Sequence, residues 1–368
     1  MELRVKRAEF LAELLPMQGI VERRTTIPVL SHLLLQAREE KLHIAGTDLD
    51  VSLTSSCEAE VKREGAVAVQ AKKFIEIIRA LTAEEVRLQL DEHQALLITA
   101  GTSRFKIHGL QAQDFPTLPD VSKEKPIDVS FALFRRMVGK ILFAVSSEES
   151  RFQLNGALLK LKAKSLELVA TDGHRLALVE NEIPGSKEAD GVLVPRKALQ
   201  ELQRFESGDA ESTLAFRRGE HHLSFRLGRR ELICRILEGT FPDYERVIAK
   251  DNDKKPIFDR RQLSDGVRRV AILTGDRARA VRLELEPDTM VVSAANPDLG
   301  EAREEISCSY PGGEIKLGIN PDYLDQFLQA VDTEKVRLEL KDENTQCVGF
   351  PVEGSDQRYL CVIMPMRI

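Results

Sequence analysis

The stretch VATDGHRLAL, Val169–Leu178, follows an alternating apolar run and has two relatives elsewhere in the chain. An earlier copy is GTDLDVSL, which contains Asp48, and a later one is VVSAANPDLGEA, which contains Asn296. When Asp172 is aligned with these two residues, each copy lies 124 residues from the next. Self-similarity at a fixed period is the signature of a repeated architecture. The stretch therefore marks equivalent points in three units.

Two further landmarks keep nearly the same period. The first is a helix-like segment with a basic or capping start, marked by Lys73, Lys197 and Pro321 at steps of 124 residues. The second is a strand that ends in an apolar turn with proline, marked by Pro116, Pro242 and Pro365 at steps of 126 and 123 residues. Units of this length are domains in their own right.

Each unit is predicted to be α+β. Its first helix shows apolar residues at spacings of three and four, as at Phe131, Phe134 and Val138, and a second helix lies mid-unit. Alternating strands surround these helices and predict antiparallel sheets. Segments rich in Lys, Asp and Pro at 120–128 and 249–259 are typical of linkers. The predicted domains are 1–122, 127–249 and 250–368.

The charge is unevenly spread over these elements. The chain of 368 residues has a net charge of −6, whereas the six predicted helical segments together are net positive. These segments are 6–20, 71–81, 130–146, 195–206, 259–274 and 320–332. Proteins that hold nucleic acid by neutralising phosphate usually carry a basic surplus. A nucleic-acid role would therefore depend on the weakly basic helices, while the strands would form an acidic side. The ordinary alternative is that the charges on the helices only mark faces exposed to solvent.

The cysteines and the N-terminus indicate a protein of the reducing cytosol. The number of cysteines is odd and no two form a C-x-x-C pair, which argues against a disulfide framework or a zinc ribbon. They are Cys57, Cys234, Cys308, Cys347 and Cys361. The start MELRVKRAEF is charged, so no signal peptide is expected, and no apolar run approaches the length of a membrane span.

The Asp and His of the opening stretch raise the question of catalysis. A general base needs partners, and the chain has no G-x-S-x-G, H-E-x-x-H, Walker A or G-x-G-x-x-G motif. The residues after the first Asp or Asn differ in all three copies, so we expect that residue to cap local backbone amides instead. The alternative is a hydrolase or nuclease with Asp48, Asp172 and His174 as metal ligands.

Several motifs carry a family resemblance in register over the full length. They are RTTIPVLSHLLLQ, GTDLD, LNGALL, ATDGHRLAL, VPRKAL, GTFPDYERVI and VIMPMRI. Together they resemble the bacterial DNA polymerase III beta subunit, the beta sliding clamp. The resemblance implies a DNA-clamp fold of three repeated domains, with antiparallel sheets outside and two helices per domain lining a ring. The resemblance further implies that the ring is a head-to-tail homodimer, which would encircle duplex DNA and tether the polymerase, giving processivity without catalysis.

The resemblance also implies residues that contact DNA, namely Arg24, Lys72, Arg151, Phe152 and Gln153. The family often has aromatic residues at the last two of these positions, so Gln153 is a departure, and the acidic Glu148 and Glu149 precede the loop. Basic residues on the predicted helices are further candidates: Arg135, Lys140, Arg196 and Lys197.

The subunit seam implied by the resemblance joins the first domain of one chain to the third domain of the other. Its members are apolar residues beside opposite charges: Lys73, Arg104, Phe105 and Ile107 on one side, and Ile272, Leu273, Glu301, Glu304 and Glu305 on the other. The alternative for Ile272 and Leu273 is that they complete the core of their own helix.

A peptide-binding cleft is implied at the junction of the second and third domains. Its residues are Leu154, Thr171, Gly173, His174, Arg175, Leu176, Pro242, Val247, Asn320, Tyr323, Val362, Met364, Pro365, Met366 and Arg367. Methionine adapts to varied apolar anchors, and glycine lets a backbone come close. Such clefts capture short extended peptides. Val362 and Pro365 could instead belong to the core, or serve both roles.

The family's partners are the polymerase III alpha subunit, the clamp loader, translesion polymerases and mismatch-repair proteins, which use short clamp-binding motifs. The sequence predicts no enzymatic activity, no cofactor, no metal and no membrane partner. The expected location is the cytoplasm, in association with the nucleoid.

Overall fold

The computed structural model describes residues 1–21, 26–148, 150–183, 188–206, 212–275, 279–353 and 358–367. Within these ranges the chain forms six α-helices: α1 Arg7–Leu14, α2 Ala71–Ala80, α3 Phe131–Ile141, α4 Arg196–Arg204, α5 Arg260–Ala271 and α6 Pro321–Ala330. Each lies inside one of the six helical segments that the apolar periodicity predicts.

The strands of the first half are β1 Glu2–Lys6, β2 His32–Arg38, β3 Lys41–Thr47, β4 Val51–Glu58, β5 Glu60–Arg63, β6 Gly65–Gln70, β7 Glu85–Leu90, β8 Ala95–Ala100, β9 Ser103–Leu110, β10 Ile127–Ser130, β11 Gly156–Leu161, β12 Ser165–Thr171 and β13 Arg175–Glu182. Those of the second half are β14 Ala189–Pro195, β15 Thr213–Arg218, β16 His222–Leu227, β17 Arg230–Arg235, β18 Ile257–Asp259, β19 Val281–Glu286, β20 Thr289–Asn296, β21 Gly300–Ser309, β22 Ile315–Ile319, β23 Lys335–Glu339, β24 Cys347–Val352 and β25 Arg358–Ile363.

The chain divides into two compact units. Residues 1–135 and 197–236 form the first, and residues 136–196 and 237–368 form the second, so the predicted middle domain contributes to both. The first contains a 13-stranded sheet in the order β10-β15-β16-β17-β4-β3-β2-β6-β9-β8-β7-β1-β5. The second contains a 12-stranded sheet in the order β14-β11-β12-β13-β25-β24-β23-β18-β21-β20-β19-β22. The strands pair antiparallel, as predicted.

The helices pack through apolar stripes, and a side chain caps the N-terminus of α2, α5 and α6. In α2, Phe74 and Ile78 are buried four residues apart, and the ring of Phe74 meets that of Phe10 edge-on at 5.8 Å. The Asp259 side chain accepts the Gln262 amide at 2.8 Å and begins α5. A side-chain acceptor at this position satisfies an amide that the helix itself leaves unpaired, so these starts are local and readable from sequence.

The landmark strand that ends in an apolar turn closes an edge in each repeat. Leu110, at the end of β9, pairs with β6. The Leu237 amide donates to the Leu193 carbonyl of β14 at 3.2 Å, and the Met366 amide donates to the Gly318 carbonyl of β22 at 2.9 Å. The C-terminal residues therefore complete the third repeat. In the described ranges, no helix is long and apolar enough to cross a membrane.

Candidate binding cleft and contact surfaces

The Asp or Asn of the repeated stretch caps a turn in all three copies. Asp172 Oδ1 accepts the backbone amides of His174 at 2.9 Å and Arg175 at 3.0 Å. Asp48 Oδ1 accepts the equivalent pair of amides at 3.0 and 2.6 Å, and Asn296 Oδ1 accepts one at 2.9 Å. This confirms the predicted capping role and explains why the residue recurs at a period of 124.

The other carboxylate oxygens of these turns are also engaged. Asp172 Oδ2 accepts Arg175 Nε at 3.1 Å, and Asp48 Oδ2 accepts the ammonium of Lys197. Among the residues that the structure describes, no three His, Cys, Asp or Glu side chains group closely enough to hold a metal ion. The geometry thus favours structural turns over the metal-site alternative, since the carboxylates that such a site needs already bind protein donors.

The opening stretch forms one wall of a cavity of about 120 Å³ in the second unit. Its lining residues are Leu154, Thr171, Gly173, Arg175, Leu176, Pro242, Tyr244, Val247, Val362 and Met364. Nine of these ten belong to the predicted cleft. Tyr244 was missed, although its place between Pro242 and Val247 in the quoted motif GTFPDYERVI was the available signal.

Arg175 is buried in the wall of this cavity, and each of its three guanidinium nitrogens donates a hydrogen bond. Besides Asp172, its guanidinium donates to the Gln326 side chain and to the Phe143 carbonyl, both at 2.5 Å. It also stacks over the Tyr323 ring, 4.3 Å from the centroid, a favourable cation–π arrangement. Arg175 therefore shapes the wall of the cavity.

A second, more polar pocket of about 430 Å³ adjoins the first and shares Arg175 with it. His174 and Tyr323 line it with their rings stacked at 6.4 Å, beside Glu148. Burial is the main cause that raises the pKa of Tyr323, and the Asp172 charge adds to it. The phenol therefore stays neutral.

The remaining predicted cleft residues lie in several places. Val362, in β25, is part of the apolar core and also lines the cavity, so it has both placements. The Met364 amide donates to the His174 carbonyl at 2.9 Å, which holds the tail against the turn. Met366 and Arg367 line a separate pocket of about 580 Å³. The Asn320 side chain caps α6 by accepting the backbone amide of Asp322 at 2.9 Å. Pro365 lines neither the 120 Å³ cavity nor the 580 Å³ pocket.

Six of the nine predicted seam residues lie on β9 or β21, two strands that each have an edge without a strand partner among the described residues. β9 pairs with β8 over 103–108 but with β6 only at its last two residues, Gly109 and Leu110. β21 pairs with β20 over 300–307 but with β18 only at Cys308 and Ser309. Exposed edges of this kind are templates for another strand.

The side chains at these edges are apolar and charged. Phe105 on β9 is 38% exposed, and Ile272, just after α5, is 75% exposed. The alternative that Ile272 completes its own helix core is therefore wrong, whereas Leu273 is partly buried. On β21, Glu304 forms an ion pair with Arg269. Glu301 and Glu305 are exposed on the same strand, and Arg104 and Lys73 are exposed in the first unit, where Ile107 is partly buried.

The predicted DNA-contacting residues are mostly exposed. Lys72 is exposed on α2. Phe152 is 69% exposed in a short 3-10 helix, Phe152–Leu154, that also contains Gln153. Arg151 is engaged locally, because it donates to the Asp172 carbonyl at 3.3 Å and lies 3.7 Å from Glu148. Arg24 and Glu149 lie outside the described residues.

One of the further basic candidates on the helices needs correction. Lys140 is only 4% exposed, with its ammonium 2.8 Å from Asp332 and over the Tyr359 ring, so it is a structural cation. Lys197 is bound to Asp48 and to the Ile20 carbonyl. Arg196 donates to a carbonyl at 2.9 Å, whereas Arg135 is exposed.

Comparison with protein families gives three adjacent matches. Family models described as the N-terminal, central and C-terminal domains of the DNA polymerase III beta subunit match residues 1–119, 128–243 and 245–367, in that order. The chain is thus similar to this family over nearly its whole length.

Individual relatives agree. A beta sliding clamp from Pseudomonas putida is 37% identical over 371 residues, and the alignment covers 100% of both chains. A sliding clamp from Pseudomonas aeruginosa bound to griselimycin superimposes with a TM-score of 0.94 at 34% identity. One from Bartonella birtlesii, also bound to griselimycin, gives 0.95 at 33% identity. Both structural matches cover 100% of each chain.

Proposed function

The chain belongs to the family of bacterial DNA polymerase III beta subunits, the beta sliding clamps, and we propose that two copies close into a ring through the strand edges described above. The chain is a DNA sliding clamp and a processivity factor without catalytic activity of its own. The observation that carries this conclusion is the ordered match of all three family domains from residue 1 to residue 367.

The seam forms between β9 of one copy and β21 of the other. Both edges are antiparallel, unpaired among the described residues and of comparable length, so their backbone groups can continue one sheet across the seam. Arg104 on β9 faces a strand that carries Glu301, Glu304 and Glu305, and this charge complementarity selects the pairing. A heterologous contact closes a ring when the rotation between copies closes, and a closed ring of two copies has two identical seams.

The ring retains DNA by enclosing it. Each strong phosphate contact adds salt-dependent affinity and would slow sliding, so a net acidic protein with a few exposed cations suits the task. Lys72, Arg151 and Phe152 are our candidates for DNA contact. Gln153, next to Phe152, is a further candidate, and Arg24 is included on the basis of the sequence resemblance. Arg151 would have to leave the Asp172 carbonyl in order to reach a phosphate.

The cavity in the second unit binds the short linear motifs of partner proteins. It takes an apolar side chain, while the adjoining polar pocket with His174 and Tyr323 holds the rest of the peptide. The partners are the polymerase alpha subunit, the clamp loader, translesion polymerases and mismatch-repair proteins. Two similar clamps are known with bound griselimycin, and we propose that griselimycin occupies this cavity in the present chain.

The domain limits 1–122, 127–249 and 250–368 and an association with the nucleoid are part of the same proposal. The limits are supported by the 124-residue period, and the location follows from action on the chromosome.

Retention on DNA tests encirclement. The dimer is loaded onto nicked circular DNA with a clamp loader, the free protein is removed, and half of the sample is linearised. A ring stays on the circle and slides off the linear form. Equal retention on both forms would contradict encirclement and indicate direct adhesion to DNA.

A further inference from the structure

The cavity is almost entirely apolar, although three of its lining residues have polar groups. Each of those groups is bonded away from the cavity. Thr171 Oγ1 donates to the Arg175 carbonyl at 2.6 Å, and the Arg175 guanidinium is bonded as described above. The Tyr244 hydroxyl donates to Glu167 Oε1 at 2.5 Å. The apolar character of the cavity therefore depends on these hydrogen bonds.

Glu167 is the least accessible member of this arrangement. It lies on β12, is 0% exposed and does not line the cavity. One carboxylate oxygen accepts Tyr244, and the other accepts Lys162 Nζ at 2.8 Å. Lys162 also donates to Glu180 at 3.0 Å. Burial of a carboxylate costs free energy unless the group is ion-paired and hydrogen-bonded. The network of Tyr244, Lys162 and Glu180 supplies both the ion pair and the hydrogen bonds, and it runs from the cavity to the surface.

The pKa shifts of the network agree with this geometry. Burial, and then the hydrogen bond to Glu167, raise the pKa of Tyr244 far above its ordinary value, so the phenol remains a donor. Burial alone would lower the pKa of Lys162, but the bonds to Glu167 and Glu180 outweigh it and the pKa is raised. The ammonium therefore stays charged.

Tyr244 belongs to a segment that no strand pairing holds in place. It begins a 3-10 helix, Tyr244–Arg246, within a run from 236 to 248 that contains no strand. Pro242 and Val247, two other lining residues, flank it, and the Val247 amide donates to the Tyr244 carbonyl at 3.1 Å. The bond to Glu167 is thus a polar anchor between this segment and β12.

We infer that Glu167 is a positioning residue of the peptide cleft, which acts through Tyr244 to hold the 242–247 segment in place and keeps the cavity free of polar groups. The inference rests on the proposed function of the cleft. An engineered apolar cavity of about 150 Å³ stays dry and binds benzene. The present cavity of about 120 Å³ accordingly fits one apolar side chain of a partner peptide.

The test is calorimetric titration of the full-length dimer with griselimycin. Tyr244→Phe and Glu167→Leu each remove the anchor and weaken binding by about tenfold, the size expected for a hydrogen bond to a charged group. Glu167→Gln keeps an oxygen acceptor and stays within about threefold of wild type. Ser165→Ala, which alters only the far end of the network at Glu180, leaves the affinity unchanged.

Amide hydrogen exchange at Val247 provides a second measurement, which global destabilisation alone would not shift selectively. We expect it to accelerate in Tyr244→Phe and not in Ser165→Ala. If the folded Tyr244→Phe and Glu167→Leu variants bind griselimycin as wild type does and protect Val247 equally, the positioning role is overturned and the cleft proposal stands. If wild type does not bind, or if Met364→Glu leaves binding intact, the cleft proposal fails and the inference fails with it.

Discussion

Ile272 offers a direct measure of the subunit seam. Its side chain is 75% exposed in the single chain, so it contributes little to the core of its own unit. Full burial of an isoleucine is worth about 1.5–3 kcal/mol. Burial of the exposed part in the seam is therefore worth roughly 1–2 kcal/mol, and a ring with two seams gains roughly 2–4 kcal/mol. Ile272→Ala removes most of this free energy of association. Because each 1.4 kcal/mol changes an equilibrium constant tenfold, the dissociation constant of the dimer should rise by about 30-fold to several hundredfold.

Sedimentation equilibrium over a range of concentrations measures this dissociation constant. Phe152→Ala is a matched control, because Phe152 is also a large apolar residue and is 69% exposed, but it belongs to the short 3-10 helix Phe152–Leu154 and to neither β9 nor β21. The control should dimerise as wild type does, and the melting temperature of the monomeric Ile272→Ala form should equal that of the wild-type monomer. An unchanged dissociation constant in Ile272→Ala, or an equal loss in the control, would refute the placement of the seam.

Three further predictions concern the first unit. Leu49 has a φ of 81°, in the left-handed region, and its side chain is 52% exposed. Leu49→Gly should therefore relieve backbone strain and raise the free energy of unfolding, measured by urea titration, by about 1 kcal/mol. A decrease in this free energy would contradict the prediction. Arg230 bonds the buried carboxylate of Glu13 at 2.7 and 3.2 Å, so Arg230→Ala should lower that free energy by about 3 kcal/mol, whereas a loss below about 1 kcal/mol would show that the pair is dispensable. The hydrogen bond from Lys106, with help from backbone amides, lowers the pKa of Asp91 to about 2. The lowered pKa stabilises the folded state above about pH 4, and this stabilisation is lost as the pH falls towards 2. The free energy of unfolding of wild type should therefore fall more steeply over that window than that of Asp91→Asn. Parallel plots of this free energy against pH would count against the bond.

The local features of this protein could be predicted from its sequence. All six helices lie within the predicted segments, because apolar spacing and N-terminal caps are set by residues within one or two turns. The capping role of Asp48, Asp172 and Asn296 could likewise be predicted, since the amides they bind lie two or three residues on.

Features that depend on distant residues could not be predicted in this way. Lys140 has the sequence pattern of an exposed basic residue, but its side chain is buried and its ammonium forms an ion pair with the exposed Asp332, which makes it structural. The motif around Tyr244 could have indicated that it lines the cavity, but not its bond to Glu167, which lies 77 residues away on β12.

The sequence by itself determined the threefold repeat, the α+β class, the family and nine of the ten residues that line the cavity. Repetition and apolar periodicity are properties of the chain, and they survive without coordinates. Only the tertiary structure decided which polar groups face away from the cavity, which cations are already bound and which strand edges are open. These depend on contacts between residues far apart in the chain, which no local spacing encodes.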